Sequence, residues 1–151
     1  MRIINPATEE VIKDLIEDTE HTLQSKYKSL RSALSAWQQQ PLNERIKCMV
    51  RFSDLLKTNI ENLSEVLTSE VGKPLQQSRN EINGAITRIS WLTANAEKYL
   101  SDEVMNADET LIERITYEPL GVVCNISAWN YPYLVGINVF VPALTAGNTV
   151  L

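Results

Sequence analysis

The chain has 151 residues, 44% of them hydrophobic, and a net charge of −5, which suits about one domain with a buried core and leaves no basic stripe for a nucleic-acid partner. One histidine, His21, excludes any site that needs two imidazoles, nothing in the pattern supports a Ser-His-Asp triad or a His-based metal site, and the two cysteines, Cys48 and Cys124, form neither a disulfide framework nor a zinc spacing. The opening MRIINPATEE has no apolar signal core, and the longest apolar stretch, residues 134–146, is too short to span a bilayer and carries Asn138 and Pro142, so a cytoplasmic protein with no membrane partner is expected.

Residues 2–17 hold two short apolar runs around Asn5-Pro6-Ala7-Thr8, the pattern of a β-hairpin. A helix is predicted over residues 20–39, with Leu23, Tyr27, Leu30, Leu34 and Trp37 on one stripe. Asp18 or Thr19 is its expected cap. Pro41 separates it from a second helix carrying Ile46, Met49, Val50 and Leu56. A third holds Ile60, Leu63, Leu67 and Val71 and stops at Gly72-Lys73-Pro74. The fourth, over residues 75–100, places Ile82, Ile86, Ile89 and Ala96 on one side.

The pattern then changes. Residues 101–110 are polar and read as a loop, and residues 111–117 alternate as a half-exposed strand. Residues 122–127 read as a short buried strand, with Cys124 in its middle. A loop, Ala128-Trp129-Asn130-Tyr131-Pro132, leads into a helix that ends near Gly147, with a kink expected at Pro142. Thr149-Val150-Leu151 starts another strand. Strand, loop, helix, strand is the first βαβ unit of a doubly wound parallel sheet, so the fold class is α/β.

Ligands of such sheets bind beyond the carboxyl ends of the strands, which points to residues 127–131. No G-x-G-x-x-G occurs in the chain, so an ordinary dinucleotide cradle is not supported. Two readings of the loop stand on spacing alone. Asn130 can offer a neutral amide donor to an oxyanion. Alternatively Trp129 is a core aromatic and Asn130 caps the next helix. Cys48 and Cys124 both read as structural thiols.

The stretch EPLGVVCNISAWNYPYLVGINVFVPALTAGNTVL, residues 118–151, resembles the aldehyde dehydrogenase superfamily pattern E-P-x-G-V-V-x-x-I-[ST]-P-W-N-[FY]-P, an apolar helix, then P-A-L-x-x-G-N-[TA]-V. Asn5-Pro6-Ala7-Thr8 with Val11-Ile12 is similar to the opening motif of that family, and Glu70-Val71-Gly72-Lys73-Pro74 resembles its E-x-G-K-P helix end. Ala128 departs from the usual Pro, and Cys124 from a common Gly.

The resemblance implies an N-terminal helical segment, a β-arm and the start of a Rossmann-like sheet. The expected division is residues 1–100 for the hairpin and helices of the cofactor-binding domain, 101–119 for an oligomerisation arm, and 120–151 for the sheet. It implies that Asn130 is the catalytic oxyanion donor, that Ile126, Ser127, Ala128 and Trp129 line NAD or NADP, and that Tyr131 borders the substrate. It implies oxidation of a small-molecule aldehyde, succinate semialdehyde in the branch that looks most similar, through a cysteine thiohemiacetal in a homo-oligomer. The nucleophile and general base of the family lie downstream of the matched segment, so the 151 residues alone are expected to be inactive. The alternatives are a non-catalytic oligomerisation module and an acylating relative.

Overall fold

A computed structural model describes every residue from Met1 to Leu151. Strands β1 (Arg2–Ile4) and β2 (Val11–Asp14) form the expected antiparallel hairpin, with a bulge between Ile3 and Ile4. Its turn is closed by Asn5, whose side-chain oxygen accepts from the Ala7 amide at 2.9 Å.

Helix α1 (Glu20–Gln38) begins at Thr19, and not Asp18, through reciprocal bonds with Thr22. Only the C-terminal half of its apolar stripe is covered. Leu34 is buried and Leu30 and Trp37 are half-buried, whereas Leu23 and Tyr27 remain exposed. Helices α2 (Leu42–Thr58), α3 (Ile60–Val71) and α4 (Leu75–Leu100) follow, and α4 packs against both others. Ile82, Ala85 and Ile89 of α4 form the centre of the core with Met49 and Leu56. The α2–α3–α4 contacts are close because small residues sit there: Ser53, Ser64 and Ser78 are buried, and the Thr68 and Ser78 hydroxyls are 2.8 Å apart.

Gly72 ends α3 with φ 78°, in the left-handed region that favours glycine. A Cβ there would stand 2.7 Å from Cγ of Pro6, so the N-terminal hairpin rests directly on this turn.

Residues 101–110 are not a loop throughout. Glu103–Ala107 form β3, paired antiparallel with β4 (Ile112–Ile115). Polar residues disguised the strand, but Asp108 supplies the turn: its Oδ1 accepts from the amides of Thr110 and Leu111 at 2.8 and 2.9 Å. These bonds hold the Asp108 carboxyl below its ordinary pKa, the Thr110 amide first among them. The hairpin is exposed on both faces, where the sequence suggested one.

The parallel pair is β5 (Val122–Val123) with β6 (Thr149–Val150), joined through α5 (Pro132–Thr145). The βαβ unit is therefore present, but the strand expected over 122–127 is shorter. Its length is set by β6, and Cys124 lies just past it, exposed rather than in mid-strand. Helix α5 continues through Pro142 and buries Ile137 and Val141 against the core. Phe140 meets Phe52 edge to face, with centroids 5.6 Å apart.

Gly72→Ala is expected to destabilise the chain by about 1–3 kcal/mol, the cost of a side chain in the left-handed region. A urea midpoint unchanged from the parent would show that the α3–α4 turn tolerates a Cβ.

Candidate active site

The loop between β5 and α5 stands at the carboxyl end of a parallel strand, where open α/β sheets bind ligands. Three separate attachments give it its shape. At its start, the Asn125 amide donates to the Leu151 carbonyl at 2.9 Å, continuing the ladder beyond β6. The Asn125 side chain turns back, donating to the Gly136 carbonyl at 3.3 Å and accepting from Ser127 Oγ at 2.8 Å. A Cβ on Gly136 would lie 3.4 Å from that Ser127 oxygen, at ordinary contact distance, so α5 packs closely under the loop.

At the far end, α5 has no capping side chain of its own. Its N-cap residue is Tyr131. Glu81 of α4 takes that role, with Oε1 accepting from the Tyr133 amide at 2.9 Å and the Leu134 amide at 3.3 Å. This satisfies two free N–H groups and places a carboxylate at the positive end of the helix dipole. The other oxygen, Oε2, accepts from Lys73 Nζ at 2.5 Å. The same ammonium donates to the Asn130 carbonyl at 2.5 Å and lies 4.0 Å from the Tyr131 ring centroid. The side chains of Lys73 and Glu81 are 9% and 0% exposed. Nearby, burial pushes the Tyr133 hydroxyl above its ordinary pKa, and the Glu70 and Glu81 carboxylates push the same way.

The residues singled out by sequence thus fall on one short loop, and they differ in what they present. Ile126 is 92% exposed and Trp129 77% exposed, so Trp129 is no core aromatic. Ser127 is half-buried, and Ala128 is open. Asn130 is exposed, its backbone carbonyl is held by Lys73, and its side-chain amide forms no hydrogen bond within the chain. The helix-cap reading of Asn130 is therefore overturned, because Glu81 occupies that role. Tyr131 is 43% exposed beneath Lys73. Asn125, Lys73 and Glu81 were not identified from sequence. The Gly72-Lys73-Pro74 motif marked Lys73 only as part of a helix end, and Glu81 lies on the buried face of an amphipathic helix, where its partner far along the chain leaves no local signal.

Two free N–H donors on Asn130 can bind a ligand oxygen that gains negative charge. Ile126 and Trp129 present exposed apolar side chains on the same loop. No cluster of His, Cys, Asp or Glu able to hold a metal ion is present. No helix is long and apolar enough to cross a membrane.

Known proteins are similar to this chain in sequence and fold. The chain is 31% identical over 99% of its length to 3,6-anhydro-alpha-L-galactose dehydrogenase of a Vibrio species, of which it covers 31%. It is 30% identical over 96% of its length to succinate semialdehyde dehydrogenase of Acinetobacter baylyi, of which it covers 30%. The NADP-dependent glyceraldehyde-3-phosphate dehydrogenase of Bacillus halodurans, solved with NADP, superposes with a TM-score of 0.92 at 27% identity, over 99% of this chain and 33% of that one. The chain spans about a third of the length of these relatives. The aldehyde dehydrogenase family model matches residues 1–151, and the chain belongs to that family.

Proposed function

We propose that these 151 residues are the N-terminal part of an enzyme that oxidises an aldehyde to a carboxylic acid with NAD or NADP, and that Asn130 is its oxyanion donor. The observation that carries the proposal is the Asn130 amide, exposed and unbonded on a loop whose backbone is tied at both ends. When a nucleophile attacks an aldehyde carbon, the carbonyl oxygen gains negative charge. A donor already in place needs no reorganisation at that moment. Family membership and the NADP complex of a relative with this fold support the cofactor reading.

Ile126, Ser127, Ala128 and Trp129 are the residues that would hold the dinucleotide. They offer a wall with one hydroxyl and no phosphate cradle, so they fit a ring better than a pyrophosphate. When bound, NAD or NADP supplies a hydride acceptor. Tyr131 would border the substrate. Succinate semialdehyde is the proposed substrate, on the strength of the Acinetobacter relative. In this reading neither Cys48, beside Arg51 on α2, nor Cys124 is the nucleophile, which lies outside these residues.

The proposed division is residues 1–100 as hairpin and helices of the cofactor-binding domain, 101–119 as an oligomerisation arm and 120–151 as the start of the dinucleotide sheet. The β3–β4 arm exposes Val104, Met105, Leu111 and Ile112, each more than half. An exposed two-stranded ribbon with apolar side chains is suited to pairing with a second copy. The free thiols agree with a cytoplasmic location.

In a polypeptide of the relatives' length, Asn130→Ala is expected to lower kcat by roughly 10²–10³ with little change in KM, as for loss of one oxyanion donor. An undiminished rate of NAD(P)H formation from aldehydes would overturn the assignment. The 151-residue chain alone is expected to give no NAD(P)H, and turnover would contradict the placement of the nucleophile. Ile112→Asp is expected to dissociate the homo-oligomer in sedimentation, whereas an unchanged mass would remove the arm from the interface.

A further inference from the structure

Eight ion pairs are present, and only Lys73–Glu81 has both side chains nearly or fully buried. Removing two charges from water is costly, and an apolar pair of similar volume often packs as well. Helix packing alone therefore does not account for the charges here. Their bonds do something that apolar groups cannot. Glu81 fixes the amides of residues 133 and 134, and Lys73 fixes the carbonyl of Asn130. Only Tyr131 and Pro132 lie between these points, and the Tyr131 ring is covered by the same ammonium. The proline ring limits φ at 132. Thus the backbone is held immediately beside the Cα from which the Asn130 side chain departs.

We infer that Lys73 and Glu81 are positioning residues: as a buried pair they aim the Asn130 amide by tethering the backbone on both sides of Tyr131. The inference rests on the reading of Asn130 given under the proposed function. Both side chains bond only to the protein's own groups. Glu81 supplies the fixed anchor at the helix end, and Lys73 carries that anchor across to the loop. The pair connects the α3–α4 turn to a loop more than fifty residues later, so the aim of the donor is set by the helical core.

The test uses NMR on the 151-residue chain. In the parent protein, the Lys73 ammonium is expected to give a slowly exchanging nitrogen resonance coupled through its hydrogen bond to the Asn130 carbonyl carbon. Absence of that coupling overturns the inference without any substitution. The second arm is the double variant Lys73→Met, Glu81→Gln. It leaves no lone buried charge, and a glutamine oxygen still accepts from the Tyr133 and Leu134 amides, so the unfolding midpoint is expected to stay near the parent value. Order parameters at Asn130 and Tyr131 are expected to fall from about 0.85 to below about 0.6, while those of α4 do not change. Parent-like order at Asn130 in this variant overturns the inference, because a merely structural pair would leave the loop unaffected once the fold is retained. The kinetics of Asn130→Ala judge the oxyanion donor separately, so each reading can fail while the other stands.

Discussion

The Glu81 carboxylate lies where α4, the turn before it, the β5–α5 loop and the start of α5 meet. Burying a lone carboxylate in that position would be prohibitive. Three partners make it tolerable: the Lys73 ammonium and two amides at the positive end of a helix. Each of those partners is also a point of attachment, so satisfying the charge and fixing the loop are one physical requirement. Truncating either member strands the other in a low-dielectric interior, a far larger loss than that of an exposed ion pair such as Arg2–Asp14.

This arrangement separates the two duties of the domain. The helical core of Met49, Leu56, Ile82, Ala85 and Ile89 provides rigidity without any chemistry. The loop presents Ile126, Trp129 and Asn130 to solvent, and little of their surface is used for folding. Asn125 and Ser127 lie between these roles, joining the loop to β6 and α5 by hydrogen bonds. A site built this way can expose apolar and amide groups because its backbone is held elsewhere.

What the sequence disclosed follows from the range of each signal. The four long helices were legible because the three- and four-residue recurrence of Leu67, Ile82, Ile89 and their neighbours is local, and Gly72 and Thr19 punctuate it. The βαβ order was legible for the same reason. Strand β3 was not, because Val104 and Met105 sit in an otherwise polar segment and its strand character shows only in the pairing with β4. The length of β5 depends on where β6 pairs, and this also moved Cys124 from a supposed strand interior to the surface. On the loop, the residue types of Ser127, Trp129 and Asn130 pointed to a site, yet spacing could not distinguish a cap from a free amide. That choice was decided by Glu81, whose relation to α5 is purely tertiary.

Helix α5 contains no charged residue from Pro132 to Thr145. Its negative end is also served from a distance: Arg45 of α2 donates to the Thr145 carbonyl at 2.9 Å, and the Trp37 indole to Leu144 at 2.9 Å. Acid at one end and base at the other match the macrodipole, yet both belong to segments made earlier on the ribosome. Isolated helices of this length are marginal in water. The groups that satisfy both ends of this apolar helix are therefore translated before it, and its own Ile137 and Val141 complete the core that they frame.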